Sequence, residues 1–254
     1  AQAGRSWFTL ESGLCNDTHN DEDSCCGQDS CCKGEGKRAH GSGCCGGAAP
    51  APLTPMSVAE LEQLASDQLI NRYRRGIENF DRRVFDLAER QIDQAFLPEA
   101  GVGQWPVRVL IGHCADADLA SVHRMRRAVA EDNPVLSTWD ENAFVDSNLY
   151  GNRHETYADT PEADHARVMS ALGGHMAAIH TLRQWVGQWL HSLSEDQLKR
   201  QALHPERGPQ SVRHMVASYT WHLEHHARFL TLKIDRMLGP AHTGQPSASA
   251  CGCH

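Results

Sequence analysis

Two residue types are over-represented, 16 histidines and 10 cysteines in 254 residues, and both are soft or borderline ligands for transition metals. Metal chemistry is the first class to test. His222 and His226 stand at i and i+4 in Trp221-His222-Leu223-Glu224-His225-His226, a spacing that lets two imidazoles on one helical face reach one ion. At roughly 100° per residue, the apolar stripe around Tyr219, Leu230 and Met237 passes about 20° from His226 and about 60° from His222. Both face inward. His225 falls on the flank and Glu224 nearly opposite the stripe. His113, from an upstream segment, projects between Leu110 and Ala117 beside Cys114, in a stripe of residues small enough to leave space. Three neutral imidazoles leave positions open for water or substrate, which separates a catalytic metal site from a closed structural one.

The bland reading stands beside this one. A lone histidine on an apolar face is more often a hydrogen-bonded core residue, so His113 alone says little and the i, i+4 pair says more. His175 lies near the stripe of its own helix without an inward partner, as an extra ligand or a proton relay. His123, His154, His165, His180, His191, His204 and His214 read as surface or loop residues. Asp116 and Glu224 are the carboxylates available to orient ligand histidines, although Glu224 points away. Zinc, nickel, iron(II), manganese and copper all suit three imidazoles, so the metal's identity stays open. No Ser-His-Asp order, P-loop or dinucleotide fingerprint competes for the chemistry.

The cysteines sit at the ends of the chain. Cys25-Cys26, Cys31-Cys32 and Cys44-Cys45 follow Cys15, and Cys251-Gly252-Cys253-His254 closes the sequence. Neighbouring cysteines pair with each other only under strain, whereas pairs separated by short polar spacers can wrap thiolates around zinc or copper(I). These eight paired and terminal cysteines form a candidate second metal site that could store, sense or deliver metal. Disulfide or redox roles are the alternative, and an odd seven cysteines between Cys15 and Cys45 prevents complete internal pairing.

The elements that must position the histidines are helical. Residues 1–56, rich in Gly, Ser, Asp, Ala and Cys, read as a flexible tail and linker ending in Gly46-Gly47-Ala48-Ala49-Pro50-Ala51-Pro52, because so few large apolar residues cannot offset the entropy of ordering. Ser57-Val58-Ala59-Glu60 fits a capping box. Leu69, Tyr73, Ile77, Phe80, Val84, Leu87, Ile92 and Phe96 recur every three to five residues, the pattern of one long amphipathic helix over 67–96. A second helix is expected from Pro106 to Ala130, closed by Asn133-Pro134. A short helix near 141–149 leads to a third from Thr160-Pro161 to His191. Ser194 to Gln197 restarts a short turn of helix, residues 204–208 form a loop, and the last helix spans Pro209 to Met237 before Gly239-Pro240. No strand-like alternation is evident. The expected fold is all-α, a four-helix bundle over 57–239, with residues 240–254 as a C-terminal tail.

Composition excludes some partners. Every hydrophobic stretch is interrupted before the roughly 18–20 apolar residues a membrane span needs, so no membrane partner is expected. A net charge of −8 without a basic cluster argues against nucleic acid. Free thiols suit a cytoplasmic protein, and a chain beginning at Ala1 leaves a removed leader open.

A resemblance sharpens these expectations. Trp105, then Val109-Leu110-Ile111-Gly112-His113-Cys114-Ala115-Asp116-Ala117-Asp118, then Asn133-Pro134, His204-Pro205 with Gly208, and Trp221 through His226 together resemble the DinB/YfiT-like superfamily of metalloenzymes. The likeness covers roughly residues 67–239, in the family's order. It implies an up-down-down-up four-helix bundle and, carried over by position, a divalent metal held by His113, His222 and His226. It also implies a small-molecule substrate and either thiol (S-)transfer, with a low-molecular-weight thiol as cofactor, or hydrolysis; a homodimer through an exposed helix face fits such bundles. Cys114 stands where the family usually has an apolar residue, as filler or as a thiol near the metal, and the cysteine tails are foreign to the family domain. Two readings remain: a metal-dependent transferase or hydrolase, or a metal-handling protein working through its tails.

Overall fold

The computed structural model describes residues 56–151 and 160–241; the tail cysteines, His154 and the CxCH end lie outside the described residues. The order is α1 (Val58–Gln63), α2 (Ser66–Arg75), α3 (Glu89–Ile92), α4 (Val107–Ala130), α5 (Glu141–Asp146), α6 (Pro161–His191), α7 (Glu195–Leu198), β1 (Gln201–His204), β2 (Gly208–Ser211) and α8 (Val212–Leu238). Helices α2, α4, α6 and α8 pack side by side as the four members of an all-α bundle. The capping box forms as expected: Ser57 Oγ accepts from the Glu60 amide at 3.2 Å, and the Glu60 carboxylate accepts from the Ser57 amide at 2.7 Å.

Two sequence expectations are corrected. The stretch 67–96 is not one helix: α2 ends at Arg75, 3-10 turns cover Gly76–Asn79 and Arg82–Asp86, and α3 supplies only a single turn. Leu69, Tyr73, Phe80, Val84, Leu87 and Ile92 are nonetheless all buried, so the periodicity reports the buried face and not the helix type. At Gly76, where α2 gives way to the 3-10 turn, a Cβ would stand 2.7 Å from Arg183 Nη1 and 2.9 Å from Leu223 Cδ2; the close approach of α6 and α8 requires the missing side chain. The second correction concerns residues 201–211. Gln201 pairs with Ser211, and His204 with Gly208, in an antiparallel hairpin, so α8 begins at Val212, three residues later than the proline signal suggested. Strands of four residues carrying one Leu and one Ala give no alternation to read.

The core has two apolar halves. One gathers Leu61, Leu69, Tyr73, Met125, Leu190 and Val216 with their neighbours, the other Phe80, Ile111, Leu172, Ile179, Leu223 and Leu230. Between them on the successive helices lie Asp118, Arg183, Thr220 and His222, all buried. A polar layer therefore crosses the bundle at mid-height.

Candidate metal centre

Helix α4 carries His113 and helix α8 carries His222 and His226 into one space. The Nε2 atoms of His113 and His222 are 3.0 Å apart, and those of His226 and His222 3.2 Å apart. Each imidazole Nε2 holds either one proton or one in-plane lone pair, so His222 Nε2 satisfies at most one of these two contacts. A cation satisfies both. Metal–nitrogen bonds of about 2.1 Å at angles between tetrahedral and octahedral place donor atoms roughly 3.0–3.4 Å apart, the spacing found. Among the described residues this trio is the group of His, Cys, Asp and Glu side chains whose donor atoms lie within reach of one ion. The donor set fits a divalent metal.

Electrostatics keeps these rings neutral and ready to ligate. Burial pushes His113 down to about 4. Burial pushes His222 and His226 well below the usual histidine value too, helped by the neighbouring imidazoles. Ring packing helps to orient His113 and His226. His113 sits between two indoles, Trp105 at 4.9 Å and Trp139 at 5.6 Å between ring centroids, the latter nearly parallel at 16°. Trp105 also lies 18° from parallel with His226 at 6.5 Å. His113 Nδ1 is buried with no hydrogen-bond partner, which departs from the common arrangement in which a carboxylate or carbonyl accepts the second ring proton.

The two carboxylates expected to orient the ligands are engaged elsewhere. Glu224 takes both arms of Arg72 at 2.7 and 2.9 Å, and Asp116 accepts the Tyr150 hydroxyl at 2.8 Å. Tyr150 lies so flat against α4 that a Cβ on Gly112 would be 2.3 Å from its ring. His175 stays outside the trio, half-buried and edge-on to Tyr150 at 6.4 Å. Cys114 is fully buried, and burial pushes its thiol well up, so it fills space as a neutral group.

Several polar residues escaped the sequence reading. Arg183 and Asp118 form a fully buried pair, Nε to Oδ2 at 2.6 Å and Nη2 to Oδ1 at 2.8 Å. The guanidinium also donates to the Tyr73 and Tyr219 carbonyls at 2.9 and 2.8 Å. Lys233, two turns beyond His226, is buried with its amine 2.7 Å from the Gly103 carbonyl and 4.6 Å above the Phe96 ring. Burial pushes that amine down to about 8. His204, expected on the surface or in a loop, is buried in β1 and accepts from the Glu206 amide at 3.2 Å. His214 is hydrogen-bonded on both sides, to Glu62 at 2.9 Å and to Ser218 at 3.3 Å. This Ser-His-Glu line joins α1 to α8, and no ordering of residues along the chain announces it. A shallow groove of about 250 Å³ lined by Arg126, Arg127, Val129, Ala130, Glu131 and Trp189 lies apart from the histidines.

A sequence model of the DinB superfamily matches residues 57–230, more than half of the chain. The chain belongs to the DinB superfamily. It is 27% identical over 186 residues to a protein of Oceanobacillus iheyensis named "Putative metal-dependent hydrolase", covering 72% of this chain and 95% of that one. A Bacillus mycoides protein of the same description is 26% identical over 176 residues, with 68% and 89% covered. In three dimensions the DinB bundle is similar to that of YfiT from Bacillus subtilis, described as "a probable metal-dependent hydrolase with an unusual four-helix bundle topology", at a TM-score of 0.55, 22% identity and coverage of 74% and 93%. Among the described residues no helix is long and apolar enough to cross a membrane.

Proposed function

We propose that this DinB protein is a metal-dependent hydrolase of a small molecule, with His113, His222 and His226 holding one divalent cation. The observation that carries the reading is the meeting of three neutral Nε2 atoms at 3.0 and 3.2 Å, two of the rings buried and His226 partly so, an arrangement without a stable hydrogen-bonded alternative. The names of the relatives favour hydrolysis over thiol transfer. A cation bound there supplies Lewis-acid polarisation of a substrate and a lowered pKa for its attacking water.

The chain's own residues supply the rest. Trp139, nearly parallel to His113, and Trp105, tilted against it, pack on the His113 ring. Arg183, fixed by Asp118, adds a buried positive charge that disfavours protonation of His222. The trio therefore carries no imidazolium to be deprotonated near neutral pH.

Elemental analysis tests the assignment. One ion per chain is expected in full-length protein and after removal of residues 1–56, with loss of that ion in the triple His113→Ala, His222→Ala, His226→Ala variant. The cysteine spacing supports a second reading, metal handling by the tails; several ions lost with the tail, and none with the triple variant, would establish it in place of the first.

A further inference from the structure

The groups around the histidine trio show what the site is built to receive. Several charged side chains in this region are already committed. Arg124 donates to the Tyr219 hydroxyl at 2.7 Å and to the Ser137 carbonyl at 2.6 Å. Arg183 is bound to Asp118, Arg108 to Asp93, Asp116 to Tyr150, and Lys233 to the Gly103 carbonyl. Glu141, at the start of α5, is partly buried, which raises its carboxyl above its ordinary value. What borders the trio is aromatic. Trp105 and Trp139 are only partly buried, as is His226, whereas His113 and His222 are closed off. The side of the trio nearest solvent is therefore the side the indoles flank. Trp139 is itself braced edge-on by Phe144 at 4.8 Å, and the Tyr150–Asp116 hydrogen bond ties down the far end of the same segment.

We propose that Trp105 and Trp139 form a recognition site for an uncharged, flat aromatic or heteroaromatic group, held against the indoles while an adjacent donor atom of the same molecule meets the cation. Indole faces attract such groups by stacking and by burial of apolar area. An anionic substrate finds no uncommitted cation among the paired groups named above. This inference rests on the metal reading, and its test separates the two.

The probes are imidazole, which needs only an open coordination position, and 4-phenylimidazole, which adds a flat ring beside the same donor. Both are titrated calorimetrically into the zinc-loaded full-length chain, with the triple histidine variant as the blank that removes binding by the cysteine tails. The expected result is roughly tenfold tighter binding of 4-phenylimidazole in the wild-type chain. The ratio of 4-phenylimidazole to imidazole affinity should shrink to about threefold or less in Trp139→Ala and in Trp105→Ala, whatever either substitution does to imidazole binding itself, and should persist in Trp139→Phe, which keeps a ring. Equal affinity of the two azoles in the wild-type chain overturns the proposal, as does an advantage that survives both alanine variants. Binding of neither azole above the blank overturns the metal reading and this one with it.

Discussion

Arg183 closes both arms of its guanidinium on the carboxylate of Asp118 at 2.6 and 2.8 Å in the middle of the bundle, where neither side chain meets solvent. Burial pushes the Asp118 carboxyl upward and the guanidinium pulls it back; four donated hydrogen bonds on Arg183 favour the ionised pair. Breaking such a pair from one side leaves an uncompensated buried charge. Arg183→Met is expected to lose about 3–5 kcal/mol of stability, and Arg183→Met with Asp118→Leu to recover part of it. Urea unfolding of the two variants decides. A single variant within 1 kcal/mol of wild type, taken here as about the net worth of one ordinary hydrogen bond, contradicts the prediction.

Gly112 is a helical glycine with a tertiary reason. A Cβ there would meet the Tyr150 ring at 2.3 Å, so Gly112→Ala must displace that ring and is expected to cost about 1–3 kcal/mol. In a Tyr150→Ala background the obstacle is gone. The same substitution should then stabilise by up to about 1 kcal/mol, the helix preference of alanine over glycine. The sign reversal across the double-mutant cycle is the measurement, and a common sign in both backgrounds refutes the packing argument.

Acid should unfold the metal-free protein earlier than an ordinary bundle. His113 takes a proton near 6.5 when unfolded and only near 4 in the fold, so the unfolded state binds more protons between those values and stability rises with pH there. Stability is complete above about 6.5 and declines as pH falls toward 4, with His113 alone contributing roughly 3 kcal/mol. His222 and His226, lowered in the same direction, steepen the decline. Denaturation midpoints of chelator-treated protein between pH 7.5 and 4.5 check this, and a flat profile from 7 to 5 would count against buried neutral imidazoles.

Ser218 is expected to stay inert although it lies 3.3 Å from His214, which in turn meets Glu62 at 2.9 Å. It sits inside α8, where backbone amides are spent on carbonyls one turn back and none can serve a developing oxyanion. Incubation with a fluorophosphonate should leave it unlabelled and leave any hydrolytic activity intact. Labelling at Ser218 would transfer the chemistry from the metal site to this line.

Much of this protein was legible locally. The 3.6-residue repeat of α8 decides which of its histidines face inward, and the capping box at Ser57 and Glu60 needs only four consecutive residues. The spacing of Leu69 through Ile92 foretold burial correctly and helix continuity wrongly, because short successive turns can present the same face to the core, and the approach of Arg183 to Gly76 joins residues more than a hundred apart, which periodicity cannot show. The same limit hid the Arg183–Asp118 pair, the Tyr150–Asp116 bond and the hairpin before α8. Motif order brought His113 forward as a candidate, but its Nε2 reaches that of His222 only because α4 and α8 pack together across 109 residues of sequence. Periodicity is carried by neighbours along the chain, whereas a ligand sphere and a buried charge pair are carried by neighbours in space, which packing alone selects.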